Sequence, residues 1–121
     1  MALARAKEII TKVVKELGAC MEENDIIVVK LKHDAPIFLN ISMPHDTILI
    51  SLNYKDLKDY IRELIDTEEN PREILEGVLD DLTELATRIS QSLMKNGFKT
   101  RMDIREKILD ILEELEEALE E

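Results

Sequence analysis

The sequence predicts an α+β fold of two layers: an N-terminal helix, an antiparallel meander of three or four strands, then three helices, the last two forming a long helical hairpin. Three observations carry that reading. Residues 26–54 hold three short runs in which apolar and polar side chains alternate, the stretches on either side repeat apolar residues every three or four positions, and turn-forming residues separate the runs. At 121 residues the chain is read as a single α+β domain, with 1–66 as a helix, meander and helix core and 71–121 as the hairpin.

In the first element, Ala2 to Leu17, the residues Leu3, Ala6, Ile9, Ile10, Val13, Val14 and Leu17 recur at helical spacing, and Gly18 stops the helix. Arg5, Lys7, Lys12 and Lys15 fall on the opposite, solvated side. Ala19 to Glu22 reads as a short extra strand before the turn Glu23-Asn24-Asp25. Cys20, the single cysteine, has no partner for an intramolecular disulfide and reads as a small buried hydrophobe.

The alternating runs orient themselves. Ile27, Val29 and Leu31 share one face; so do Ile37, Leu39, Ile41 and Met43, and then Ile48, Ile50, Leu52 and Tyr54. Only pairings that keep these faces together are allowed. A turn over His33 to Ala35 sets Val29 beside Leu39. A two-residue turn at Pro44-His45 sets Ile41 beside Ile48 and Leu39 beside Ile50, and a four-residue turn preserves the same faces. The aliphatic face must be covered by helices. The other face is mixed: in the two-residue register Lys30, Phe38 and Ser51 form one cross-strand row and Val28, Asn40 and Leu49 the next. Lys30, Phe38, Asn40, Leu49 and Ser51 are therefore candidate contact residues, on a face that is solvated, a subunit interface or a ligand surface.

After Tyr54 the period changes. Lys55 to Asp66 carries Leu57, Tyr60, Ile61, Leu64 and Ile65 at helical spacing, and Thr67-Glu68-Glu69-Asn70 ends that helix. Asn70 as cap, Pro71 in the first helical position and Glu73 as a capping-box partner start the third helix, which ends at Asn96-Gly97. Its stripe is Leu75, Val78, Leu79, Leu82, Leu85, Ala86, Ile89 and Leu93. At ~1.5 Å per residue it is roughly 36 Å long, against ~27 Å for a strand of about eight residues. Gly77 marks either a close helix crossing or an exposed position. Phe98-Lys99-Thr100 reads as the link to the last helix, with Thr100 as its cap and Ile104, Ile108, Ile111, Leu112, Leu115, Ala118 and Leu119 as its stripe. Two long stripes exceed what one sheet face covers, so Leu82, Ile89, Leu93, Ile108 and Leu115 join the candidate contact surface and a homodimer is expected.

Charge excludes some functions. The net charge is -11; residues 1–60 carry 8 basic and 9 acidic side chains, residues 61–121 carry 8 basic and 18 acidic. Such a field repels phosphate backbones and argues against nucleic acid as a partner, even with the local basic stretch Lys95, Lys99, Arg101, Arg105 and Lys107. Glu113, Glu114, Glu116, Glu117, Glu120 and Glu121 crowd the helix end where the macrodipole favours cations. They read as a solubilising tail or as a site for a basic partner. The bias toward Glu, Lys, Ile and Leu, with one Gln, points to a thermophilic, archaeal source. No apolar segment approaches a membrane span or signal peptide, so no membrane association and a cytoplasmic location are expected.

Chemistry is sparse. His33-Asp34 and His45-Asp46 are the only candidates for metal or acid/base work. They stand at opposite ends of the second alternating run, more than ~20 Å apart at ~3.4 Å per residue, and each turn supplies at most one His and one Asp. No glycine-rich phosphate loop and no nucleophile elbow occur. Glu76, Asp80, Asp81 and Glu84 form an acidic stripe without the Glu-x-x-His of carboxylate metal sites. No catalytic, metal or cofactor residue is assigned. The expectation is a non-catalytic, homodimeric adaptor or protein-interaction module of an acidic chain, the alternative a small-ligand or metal-dependent enzyme using His33/Asp34 or His45/Asp46. In layout, a meander followed by an amphipathic helix in a small acidic chain is loosely similar to the dimeric chaperones of bacterial secretion systems, which implies a chaperone-like role; the run of three closing helices departs from their strand, helix, strand arrangement.

Overall fold

The computed structural model describes residues 2–121, with side chains from Ala4 on; Leu3, read above as part of the first stripe, lies outside the described side chains. Element order is α1 (Ala2–Glu16), β1 (Cys20–Glu23), β2 (Ile27–Lys30), β3 (Ile37–Ser42), β4 (Thr47–Tyr54), α2 (Leu57–Thr67), α3 (Pro71–Lys95), β5 (Lys99–Asp103) and α4 (Arg105–Glu120). The five strands lie in chain order, β1 to β4 as an antiparallel meander and β5 parallel to β4. The α+β class is that of the sequence, and the extra strand before the meander is present as β1.

Alternation decides which side of the sheet is dry. Val29, Ile37, Leu39, Ile41, Ile48, Ile50 and Leu52 all face the helices and are buried. Val29 stands opposite Leu39, the register expected from the first turn. The second turn is the longer of the two considered: Ile41 lies opposite Ile50 and Leu39 opposite Leu52. Pro44 explains this, since the primed turns that close a two-residue hairpin need a positive φ at their first position, which proline's fixed negative φ forbids. The shift by two keeps every face but moves the rows of β4. Lys30 and Phe38 now align with Asn53, Val28 and Asn40 with Ser51, while Leu49 faces Ser42.

β5 departs from the sequence reading. Residues 99–103 form a strand rather than a link, so α3 and α4 are joined through the sheet and not as a direct helical hairpin. Thr100 is not a cap. Its Oγ1 lies 2.6 Å from the buried Ser90 Oγ of α3, and Ile104 stands at the N-cap of α4. Five residues rich in charge, squeezed between two strong helical patterns, carry too short a period-two signal to stand out.

The fifth strand also removes the expected excess of apolar stripe. Outer strands of a five-stranded sheet are ~19 Å apart, room for two or three helices abreast at ~10 Å each. Here α1 and α3 pack together above the sheet, and α2 packs on α3 and α4. Leu82, Ile89, Leu93 and Leu115 are each 0% exposed, deep in the core of one copy, and Ile108 is half-buried. The four fully buried residues are not surface contact residues.

Local signals explain the helix boundaries. The Asn70 side chain accepts from the Glu73 N–H and its Nδ2 donates to Glu73 Oε2 at 3.1 Å, closing the start of α3. Gly77 is exposed, with no atom near an added Cβ, so it marks no helix crossing. The acidic end of α4 remains helical to Glu120. Arg72 of α3 bonds Glu116, and Lys58 and Arg62 of α2 share a groove with Glu114, Glu117 and Glu121, supplying cations near the negative end of the helix. No described helix is long and apolar enough to cross a membrane.

Candidate interaction surface

Helices α1, α3 and α4 contact the sheet, whose aliphatic face is buried, and α2 packs on α3 and α4; the opposite face is built by alternation alone. It carries Cys20 and Glu22 from β1, Val28 and Lys30 from β2, Phe38, Asn40 and Ser42 from β3, Thr47, Leu49, Ser51 and Asn53 from β4, and Lys99, Arg101 and Asp103 from β5. From Cys20 to Asn53 these side chains are partly exposed; the three of β5 are exposed. Of the sequence candidates, Lys30, Phe38, Asn40, Leu49 and Ser51 are together on this face, while Leu82, Ile89, Leu93 and Leu115 belong to the core with the sheet's aliphatic face. The residues that sequence reasoning missed belong to β1 and β5. The alternation of Thr100 and Met102 with Lys99, Arg101 and Asp103 was the available signal.

Lys30 is held from three sides. Its Nζ lies 3.4 Å from Glu22 Oε1, 3.5 Å from the His33 carbonyl oxygen and 5.7 Å from the centre of the Phe38 ring. The ammonium thus ties β1 to the β2–β3 turn and rests on an aromatic face, while its stem covers apolar surface. At the middle of the face, Ser51 Oγ donates to the Asn40 carbonyl at 3.5 Å. Asn40 Oδ1 is shut from solvent and has no hydrogen-bond partner among the described residues. A buried acceptor left open costs about 1–3 kcal/mol, so the centre of the face holds unused hydrogen-bonding capacity beside Val28 and Leu49.

The two His-Asp pairs are on turns at opposite ends of β3, and all four residues are exposed. The structure brings none of them together. Among the described residues Asp46 meets Thr47 at 3.4 Å and Lys99 at 3.9 Å, both at its own end of the sheet. Among the described residues no group of three or more His, Cys, Asp or Glu is placed to hold a metal. Asp34 borders a shallow depression with Phe38, Asp59, Tyr60 and Glu63, where burial and then the Glu63 charge raise the Tyr60 hydroxyl pKa above its usual 10.0. A separate cavity of about 340 Å³ between α1 and the sheet has a floor of Ala6, Ile10, Ile27, Ile41 and Ile48, with the Lys7 to Glu23 ion pair (2.5 Å) at its rim. Neither place joins a nucleophile to a base.

No protein-family model matches the chain, and neither a curated protein nor a solved structure matches it.

Proposed function

We propose that the chain is a non-catalytic interaction module, a cytoplasmic homodimer that docks a protein partner on the open face of its sheet. The observation that carries the reading is one-sided burial: the aliphatic face of a five-stranded sheet is buried under helices, while Val28 and Leu49 are partly exposed on the other face around an unpaired Asn40 acceptor, with Phe38 beside the depression at α2. Few flexible groups need ordering there, because Lys30 is already pinned. The composition supports a thermophilic, archaeal source, and a lone, partly exposed Cys20 suits a reducing compartment.

Two measurements test it. Sedimentation at micromolar concentration should give a mass of about 28 kDa, twice the 14.0 kDa of the chain; a monodisperse monomer contradicts the dimer. Tagged protein purified from the cells that encode it should retain a stoichiometric protein partner that the Phe38→Asp, Leu49→Asp double variant loses. The same partner held equally by both would show that another surface binds it.

A further inference from the structure

β5 ends the sheet, and no described strand pairs with its outer edge. Lys99, Arg101, Met102 and Asp103 are exposed, and the strand contains neither proline nor glycine. Such an edge presents a row of unpaired N–H and C=O groups to any strand that fits it. Exposed apolar side chains gather along the same stretch of chain: Met102 on the strand, Met94 in the last turn of α3 and Leu109 near the start of α4 are 45%, 53% and 62% exposed.

We propose that β5 pairs antiparallel with the β5 of a second copy, about a twofold axis through Arg101, joining two sheets into one of ten strands. This rests on the homodimer reading above and assigns its interface. The two open faces then become one continuous surface, with Val28, Phe38, Asn40 and Leu49 present twice.

The register follows from parity and charge. An axis normal to the sheet keeps both helix layers on one side, and residues directly opposite in an antiparallel pair share a face, so Lys99, Arg101 and Asp103 must pair among themselves. An axis through Thr100 sets Lys99 against the partner's Arg101 twice. One through Met102 sets Arg101 against the partner's Asp103 but runs Lys99 past the strand onto Arg105 of α4. The axis through Arg101 uses all five residues and sets Lys99 against the partner's Asp103 at both ends. Its single like-charge contact is Arg101 with its own copy.

The test is sedimentation across a dilution series for wild type, Lys99→Glu, Asp103→Lys, a one-to-one mixture of those two variants, and Arg101→Thr. Each reversal alone places like charges at both ends of the paired strands and should weaken the dimer about tenfold. In the mixture both ends are again opposite in charge, and affinity should return to that of wild type. Arg101→Thr removes the contact on the axis and should tighten the dimer. Lys99 and Asp46 are exposed and 3.9 Å apart, so losing that pair leaves the fold intact, which unchanged melting of the variants checks. A wild-type dimer indifferent to both reversals, or weakened by Arg101→Thr, overturns the β5 interface while leaving the dimer; a wild-type monomer overturns the dimer itself.

Discussion

Asn40 shows how much one atom says about the open face. Its Oδ1 is closed to water without a partner, a conformation that a stable domain keeps only against about 1–3 kcal/mol. Replacing the amide by an isosteric hydrocarbon removes the penalty, so Asn40→Leu should raise stability by about 1 kcal/mol in chemical denaturation while weakening partner binding. Loss of stability instead would mean that Oδ1 is satisfied in the folded chain. Tyr60 behaves differently. Burial and the Glu63 charge raise its folded pKa above the unfolded 10.0, so the unfolded chain releases the phenolic proton first. The stabilising contribution is complete below pH 10.0 and falls as pH rises through the folded pKa. Tyr60→Phe should therefore melt with a shallower decline in strongly alkaline buffer than wild type; parallel declines would place the ring in open solvent.

Among the elements, α3 is the one whose design is most local and therefore most legible. Asn70, Pro71 and Glu73 announce its start through contacts within four residues, and the structure realises them. Asn70→Ala should lower stability by about 1 kcal/mol, and Gly77→Ala should raise it by about 0.5–1 kcal/mol because the site is helical, exposed and empty. Thermal melts of the two variants should move in opposite directions. The faces of β2, β3 and β4 were equally readable, since alternation depends on neighbours along the chain. What the residues could not announce was long-range. The β3–β4 register turned on Pro44 excluding one of two turns with identical faces. β5 is defined by a partner about fifty residues earlier, Leu49 opposite Arg101, and by the Ser90 to Thr100 contact. Without β5 a sheet is too narrow for the α3 and α4 stripes, so the sequence alone points to Leu82, Ile89, Leu93 and Leu115 as contact surface. Of the candidate residues, those on alternating strands share one face of the sheet, and Leu82, Ile89, Leu93 and Leu115 lie inside the core.

At the scale of the whole molecule, hydrophobic burial has a direction. Every helix stripe converges on one side of the sheet, the negative charge of the C-terminal half gathers on the outer surfaces of α3 and α4, and the far side of the sheet keeps a few apolar residues and little net charge. A partner meets an acidic body with a near-neutral, partly greasy face, which favours a polypeptide over a polyanion. The central claim is that this face is outside and the aliphatic one inside. Leu39 and Leu49 test it directly, since they are the same residue on the same sheet pointing opposite ways, Leu39 at 0% exposure and Leu49 partly exposed. The measurement is the thermal unfolding of Leu39→Asp beside Leu49→Asp, followed by circular dichroism. The account expects Leu39→Asp to abolish the cooperative transition, a loss of more than ~4 kcal/mol from a charge buried without a partner. Leu49→Asp should melt cooperatively, within ~8 °C of wild type, a loss of about 1 kcal/mol. A cooperative melt from Leu39→Asp, or a collapse of Leu49→Asp to the same unfolded baseline, would contradict it.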